Sequence, residues 1–200
     1  PRVFPLLVYT FDMLQKTTLY GLLGIAIVFA LLFIRVPEVG ENQESHTQNS
    51  GDIIGDGFVG QTFIASQNYL SSIGIIIATH SGRDNTHPVI FHLKNSADAQ
   101  SDIQTVTVNP NRFGDNQFYD FAFKPISNSK GKLFFFSLTS SESVTDNAIA
   151  VDISTKDPYP SGVAYIRGSG RQNIDLAFRA SYNIPFGVHA IRTTKAFLST

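Results

Sequence analysis

From Thr17 to Ile34 the chain reads TTLYGLLGIAIVFALLFI, an uncharged run bounded by Lys16 and Arg35. As a helix rising 1.5 Å per residue it would cover about 27 Å, close to the roughly 30 Å of bilayer hydrocarbon. A core helix of a soluble protein shows polar positions at helical period, and this run has none. A cleaved signal sequence ends in small residues, whereas this one ends in LFIRVPEV. The pattern predicts a transmembrane helix over 17–36. Arg2 and Lys16 precede it, and Glu38, Glu41 and Glu44 follow the single Arg35. The positive-inside tendency then puts residues 1–16 on the cytoplasmic side, or in a preceding segment, and everything past the span outside the cytoplasm. The chain is expected in the cell membrane on a single-span anchor.

Residues 37–57, PEVGENQESHTQNSGDIIGDG, contain almost no large apolar side chain before Ile53. Such a stretch cannot bury enough surface to offset its ordering entropy, and it reads as a flexible acidic tether.

Beyond Phe58 the pattern changes to strict alternation. Ile73, Ile75 and Ile77 share one phase; so do Val89, Phe91 and Leu93, then Phe134, Phe136 and Leu138, then Ile149, Val151 and Ile153. The longest case runs Ile174, Leu176, Phe178, Ala180 and Tyr182, with Asp175, Arg179 and Ser181 opposite. Period two with one polar face means antiparallel strands packed on one side. With FVGQTFIA, DIQTVTVN, QFYDFAFK and GVAYIR there are about nine candidate strands, separated by Gly, Asn, Asp, Pro and Ser turns, and no stretch after residue 58 offers ten residues of helical period. The expected fold class is all-β: a jelly-roll-like, two-sheet antiparallel sandwich over 58–184, preceded by the one helix. Residues 185–200 lose the alternation and are mildly basic, as a return to the membrane surface or the approach to another span would be.

Composition changes this picture only by exclusion. The 200 residues carry 15 basic and 16 acidic groups, and the near-neutral sum hides three unlike parts. The span region has three basic groups and one acid, 37–57 has five acids and no Lys or Arg, and 58–184 has ten of each. Without a basic run, nucleic-acid binding driven by phosphate counterion release is excluded as a reading. The absence of Cys excludes disulfides, thiolate metal sites and cysteine nucleophiles.

No GxSxG, HExxH or phosphate-binding loop occurs, and GSG at 168–170 reads as a turn because nothing helical follows it. Three clusters are candidates for ligand binding. His80 and His87 end a loop with Asp84 at its tip, and a hairpin there would bring them together for a divalent metal or sugar hydroxyls, against the plainer reading of surface imidazoles. Asn109, Asn111, Asp115 and Asn116 supply oxygens on one loop that could hold a structural calcium, against an ordinary Asn/Asp turn. No other cofactor is expected. Sugar recognition uses aromatic platforms beside polar groups. Of 17 Phe and 7 Tyr, most Phe occupy the inward strand phase, leaving Tyr159 beside Asp157 in the DPYPSG turn, and Tyr165.

The series GQTFIASQNYLSSIGIIIATH, VIFHLK, FYDFAFKPISNSKGKLFFFSL, YPSGVAYIRG and IDLAFRASYN resembles an extracytoplasmic β-sandwich domain found in large bacterial membrane proteins, many of them glycosyltransferase-like. Its markers are QTF at 61–63, LSSIGI at 70–75, FKPISNSKGK at 123–132 and DLAF at 175–178. The resemblance implies a noncatalytic module of carbohydrate-binding shape and brings no catalytic residue to this chain. The expected function is a membrane-tethered module that binds glycan or polysaccharide or assists a membrane glycosyltransferase. The alternative is a structural domain of the cell envelope that binds a protein partner or the remainder of a longer chain.

Overall fold

A computed structural model describes residues 4–198, with side chains described at 13 and over 15–194. The chain forms two compact units. One gathers helix α1 (Phe4–Phe33) and helix α2 (Phe186–Leu198). The other, Pro37–Asn183, is a β-sandwich.

The strands are β1 (Arg35–Gln43), β2 (Gln48–Asn49), β3 (Phe58–Ile64), β4 (Leu70–Ala78), β5 (Val89–Lys94), β6 (Gln104–Val108) and β7 (Gln117–Ile126). They continue as β8 (Leu133–Thr139), β9 (Ala150–Ser154), β10 (Ala164–Ile166), β11 (Ser169–Arg171), β12 (Asp175–Leu176) and β13 (Phe178–Pro185). Six form one sheet in the order β11-β10-β3-β8-β5-β6. Seven form the other along β1-β13-β4-β9-β12, with β2 on β9 and β7 on β4. The expected all-β, jelly-roll-like sandwich of two antiparallel sheets is the fold, and all nine anticipated strands are present.

The inward phase is as the alternation implied. Ile73, Ile75, Ile77, Phe91, Leu93, Phe136, Leu138, Val151 and Phe178 are all 0% exposed. Aromatic rings join the sheets: Phe178 of β13 meets Phe63 of β3 at 5.9 Å and Phe136 of β8 at 5.4 Å, and Phe91 of β5 stacks on Phe121 of β7 at 5.0 Å. Polar side chains close the strand ends. Ser71 Oγ donates to the Ser181 carbonyl, and Ser129 Oγ accepts from Leu70 N while donating to the Gln67 carbonyl. Of the GSG segment only Gly168 lies in the β10–β11 hairpin turn, where it and Arg167 have positive φ; Ser169 and Gly170 are in β11, paired with Ile166 and Tyr165.

Two expectations for the sandwich are corrected. The 37–57 segment is no flexible tether: β1 pairs with β13, β2 pairs with β9, and Ile53 is buried in the core. The cause is pairing rather than hydrophobicity, since the backbone of a polar strand is satisfied by a neighbour's ladder. Side chains add to it. Gly40 has no Cβ, and the space is taken by the Tyr182 ring; the Tyr182 hydroxyl donates to Glu41 Oε2 at 2.5 Å, and Ser66 N donates to both Glu41 and Tyr182. Asp175, placed by alternation on the solvent face, is fully buried. Alternation fails there because β12 is two residues long and Ala177 interrupts the ladder before β13, donating to Asp152 O and accepting from Ile76 N.

In the helical unit, α1 is longer than the predicted span, and Gln15–Phe33 is apolar enough to cross a membrane. Its large side chains face outward, with Leu22, Ile25 and Phe29 each more than half exposed. The expectation of no helical stretch beyond residue 58 is corrected: Phe186–Leu198 forms α2, which packs with α1.

Candidate functional site

The β4–β5 connection leaves the seven-stranded sheet and enters the six-stranded one, and the β6–β7 connection makes the return crossing. Both lie at one end of the sandwich, and between them opens a cleft of about 360 Å³. Thr79, Arg83, Asp84, Asn85 and Thr86 wall it on one side, and Pro110, Asn111 and Phe113 on the other.

Asp115 pins the two connections together. Its Oδ1 accepts from Thr79 N at 2.7 Å, Thr79 Oγ1 at 3.1 Å and His80 N at 3.1 Å, and its Oδ2 accepts from Ser81 Oγ at 2.6 Å. The Ser81 hydroxyl, then the Thr79 groups, hold the Asp115 carboxyl at about 2, below its ordinary 3.8 and against a smaller upward push from burial. Asn85 Nδ2 donates to the Thr79 carbonyl, while Asn85 Oδ1 is buried with no hydrogen-bond partner. Arg83 Nη1 donates to Asp52 Oδ1 at 2.8 Å, so its charge is balanced while its stem borders the cleft. Asn147 Nδ2 donates to the Asp84 carbonyl at 2.6 Å. On the far wall Asn109 Oδ1 accepts from Asn111 N, capping the 3₁₀ turn Pro110–Arg112, and the Phe113 ring is wedged edge-on against Tyr119 at 4.8 Å.

Two of the sequence-derived clusters therefore converge. Asp84 from one and Asn111 from the other border the same cleft. Their companions do other work. His80, at φ 55, turns its Nε2 to within 3.4 Å of Asp52 Oδ1, and His87 Nδ1 lies 3.5 Å from Glu142 Oε2. The expected hairpin is corrected: β4 and β5 belong to different sheets, and His80 and His87 each face a different carboxylate. In the 109–116 loop, Asp115 takes its donors from the protein, Asn109 is a cap, and Asn116 occupies a positive-φ turn with Nδ2 3.4 Å from Asp115 Oδ2. Hydrogen bonds within the protein hold this loop, as in the ordinary Asn/Asp turn weighed against a structural calcium. Among the described residues no three His, Asp or Glu side chains form a metal-binding group.

The aromatic candidates are elsewhere. Tyr159 is half-buried, its ring edge-on to Phe178 and its hydroxyl accepting from Ile64 N; burial pushes the hydroxyl pKa up. Asp157 sits beside it at φ 47 with Oδ1 buried and unpartnered. Tyr165 lies on the outer face of the six-stranded sheet, nearly parallel to Phe58 at 6.4 Å and edge-on to Phe135 at 5.1 Å. A smaller apolar cleft of about 220 Å³ adjoins Phe58, bordered by Ile53, Ile54, Val59 and Arg167. Sequence reasoning overlooked Arg83, Asn85 and Phe113. Asn85 lay inside the loop singled out for its histidines, but nothing in its spacing marked it.

No family model matches the chain, and no curated protein matches it. Among solved structures it is similar to the crystal structure of the cysteine protease and lectin-like domains of Cwp84, a surface-layer-associated protein of Clostridium difficile. The identity is 9% and the TM-score 0.46, over 74% of this chain and 36% of that one. The chain thus spans little more than a third of that structure's length.

Proposed function

We propose that the sandwich is a noncatalytic glycan-binding module whose site is the cleft between the β4–β5 and β6–β7 connections. One observation carries the reading: a buried, unpartnered amide oxygen, Oδ1 of Asn85, on a residue that borders a cleft also lined by Asp84, Thr86 and Asn111 and by apolar Pro110 and Phe113. A sugar ring offers hydroxyl donors and acceptors around its rim and C–H groups on its faces, and this mixture complements it. The noncatalytic part of the reading rests on the resemblance, which brings no catalytic residue to this chain.

In this reading α1 crosses the cell membrane with its N-terminal side in the cytoplasm and anchors the sandwich outside. The resemblance to bacterial glycosyltransferase-like membrane proteins gives the module its task, holding glycan for a catalytic membrane domain. The test is a glycan array probed with the full chain in detergent, then with Asn111→Ala and Asn85→Leu. Oligosaccharide binding that weakens about tenfold or more in both variants is expected for lost buried hydrogen bonds. A chain that binds no glycan, or variants that bind as the parent does, would overturn the reading. So would a stable protein complex that forms independently of sugar.

A further inference from the structure

We infer that α2 is an interfacial helix that lies on the membrane surface beside the end of α1 and binds anionic lipid headgroups. The inference rests on the reading of α1 as a membrane span. Phe186 N, the first residue of α2, donates to the Ile34 carbonyl at 2.9 Å, immediately after the last turn of α1. Helix α2 therefore begins where the span ends, at the level of the headgroups.

The spacing, exposure and charge of α2 suit that position. At about 100° per residue Phe186, Ala190 and Ile191 span an arc of about 140°, His189 and Arg192 lie outside it, and Thr193 falls beside Phe186. Ile191 is 60% exposed, a large apolar side chain that gains by entering lipid. The segment 184–200 carries Arg192 and Lys195 and no acid, the charge sign that anionic headgroups attract. The hydroxyls are also prepared for a water-poor setting: Thr193 Oγ1 donates to the His189 carbonyl at 3.1 Å and Thr194 Oγ1 to the Ala190 carbonyl at 2.9 Å. Thr17 in α1 does the same with the Met13 carbonyl.

The chain has no Trp, so a single introduced Trp reports its own depth. Ile191→Trp and Ile25→Trp are made separately in the full chain. Each is reconstituted into phosphatidylcholine vesicles containing phosphatidylglycerol, with acyl chains brominated either near the headgroup or near the bilayer centre. Trp at 191 is quenched chiefly by the shallow bromines, and Trp at 25 by the deep ones. Adding Arg192→Glu to the 191 reporter lowers shallow quenching about fivefold, the equivalent of about 1 kcal/mol per basic group at an anionic surface. Quenching at 25 without quenching at 191 overturns the α2 inference alone. Deep quenching at 191 overturns it as well, because the helix then inserts. Absence of quenching at 25 overturns the span and, with it, this inference. Shallow quenching unaffected by Arg192→Glu or by removing phosphatidylglycerol overturns the headgroup assignment.

Discussion

Gln61 and Asp175 join the two sheets through the core: Gln61 Nε2 donates to Asp175 Oδ1 at 2.7 Å, and Leu176 N returns a bond to Gln61 Oε1 at 3.2 Å. Both side chains are 0% exposed. Tyr159 N fills Asp175 Oδ2 at 2.7 Å, so the acid also holds the DPYPSG turn against the sandwich. A bonded polar pair of this kind rewards one register, because a slipped strand would leave an amide and a carboxylate buried without partners.

Burial pushes the Asp175 pKa above its ordinary 3.8, the Tyr159 and Gln61 bonds pull against it, and neighbouring Asp157 adds a further upward push. A raised folded-state pKa means that the fold favours the protonated acid. Its contribution is complete below the unfolded value and is lost as pH rises through the folded one. Asp157→Asn removes the neighbouring charge and keeps a residue type that tolerates φ 47. Unfolding free energy is expected to fall less steeply with pH in the variant than in the parent above the unfolded carboxyl value of about 3.9. Denaturant titrations followed by tyrosine fluorescence measure it; parallel curves would contradict the account of Asp157.

Asp115 works in the opposite sense. Its pKa is held at about 2 by the bonds from Ser81 and Thr79, so its stabilisation is present above the unfolded 3.8 and fades as pH falls through about 2. The Thr79 and His80 amides that donate to it stay protected from hydrogen exchange in mild acid. Asp115→Ala raises their exchange at neutral pH about tenfold or more and weakens glycan binding, since the cleft walls lose their shared strut. Equal exchange in parent and variant, read by mass spectrometry, would show that other contacts hold the loop.

Two strand glycines separate a rigid obstacle from a yielding one. A Cβ at Gly60 would fall on the Phe136 carbonyl oxygen and 2.7 Å from the Phe135 ring, in the middle of the β3–β8 ladder. A Cβ at Gly74 would meet Asp120 Oδ1 at 2.5 Å and Arg179 Cγ at 2.8 Å, side-chain atoms on the outer face of β4. Arg179 there pairs with Asp120 through two hydrogen bonds of 3.1 and 2.7 Å and lies over the Phe118 ring. Gly60→Ala is expected to cost about 3 kcal/mol and Gly74→Ala about 1 kcal/mol, because a side-chain pair can shift and a paired backbone cannot. Thermal unfolding midpoints rank them, and the reverse order would sink the distinction.

What the sequence by itself determined was everything that depends on local period. Alternation placed nine strands and their buried phase, from Ile73 to Tyr182, and the uncharged run marked the apolar helix α1. These signals are legible because each is set by neighbours along the chain. Tertiary structure decided what depends on residues far apart. The polar segment 35–43 became strand β1 because β13, some 140 residues later, presents an edge for it to pair with. Asp175 left its expected solvent face because Gln61 and Tyr159 offer it partners in the interior. The cleft came partly into view in advance, through Asp84 and Asn111. Their convergence did not, because two connections 30 residues apart meet only once both sheets are packed. A backbone ladder and a shared carboxylate are long-range bonds, and no pattern read along the chain contains them.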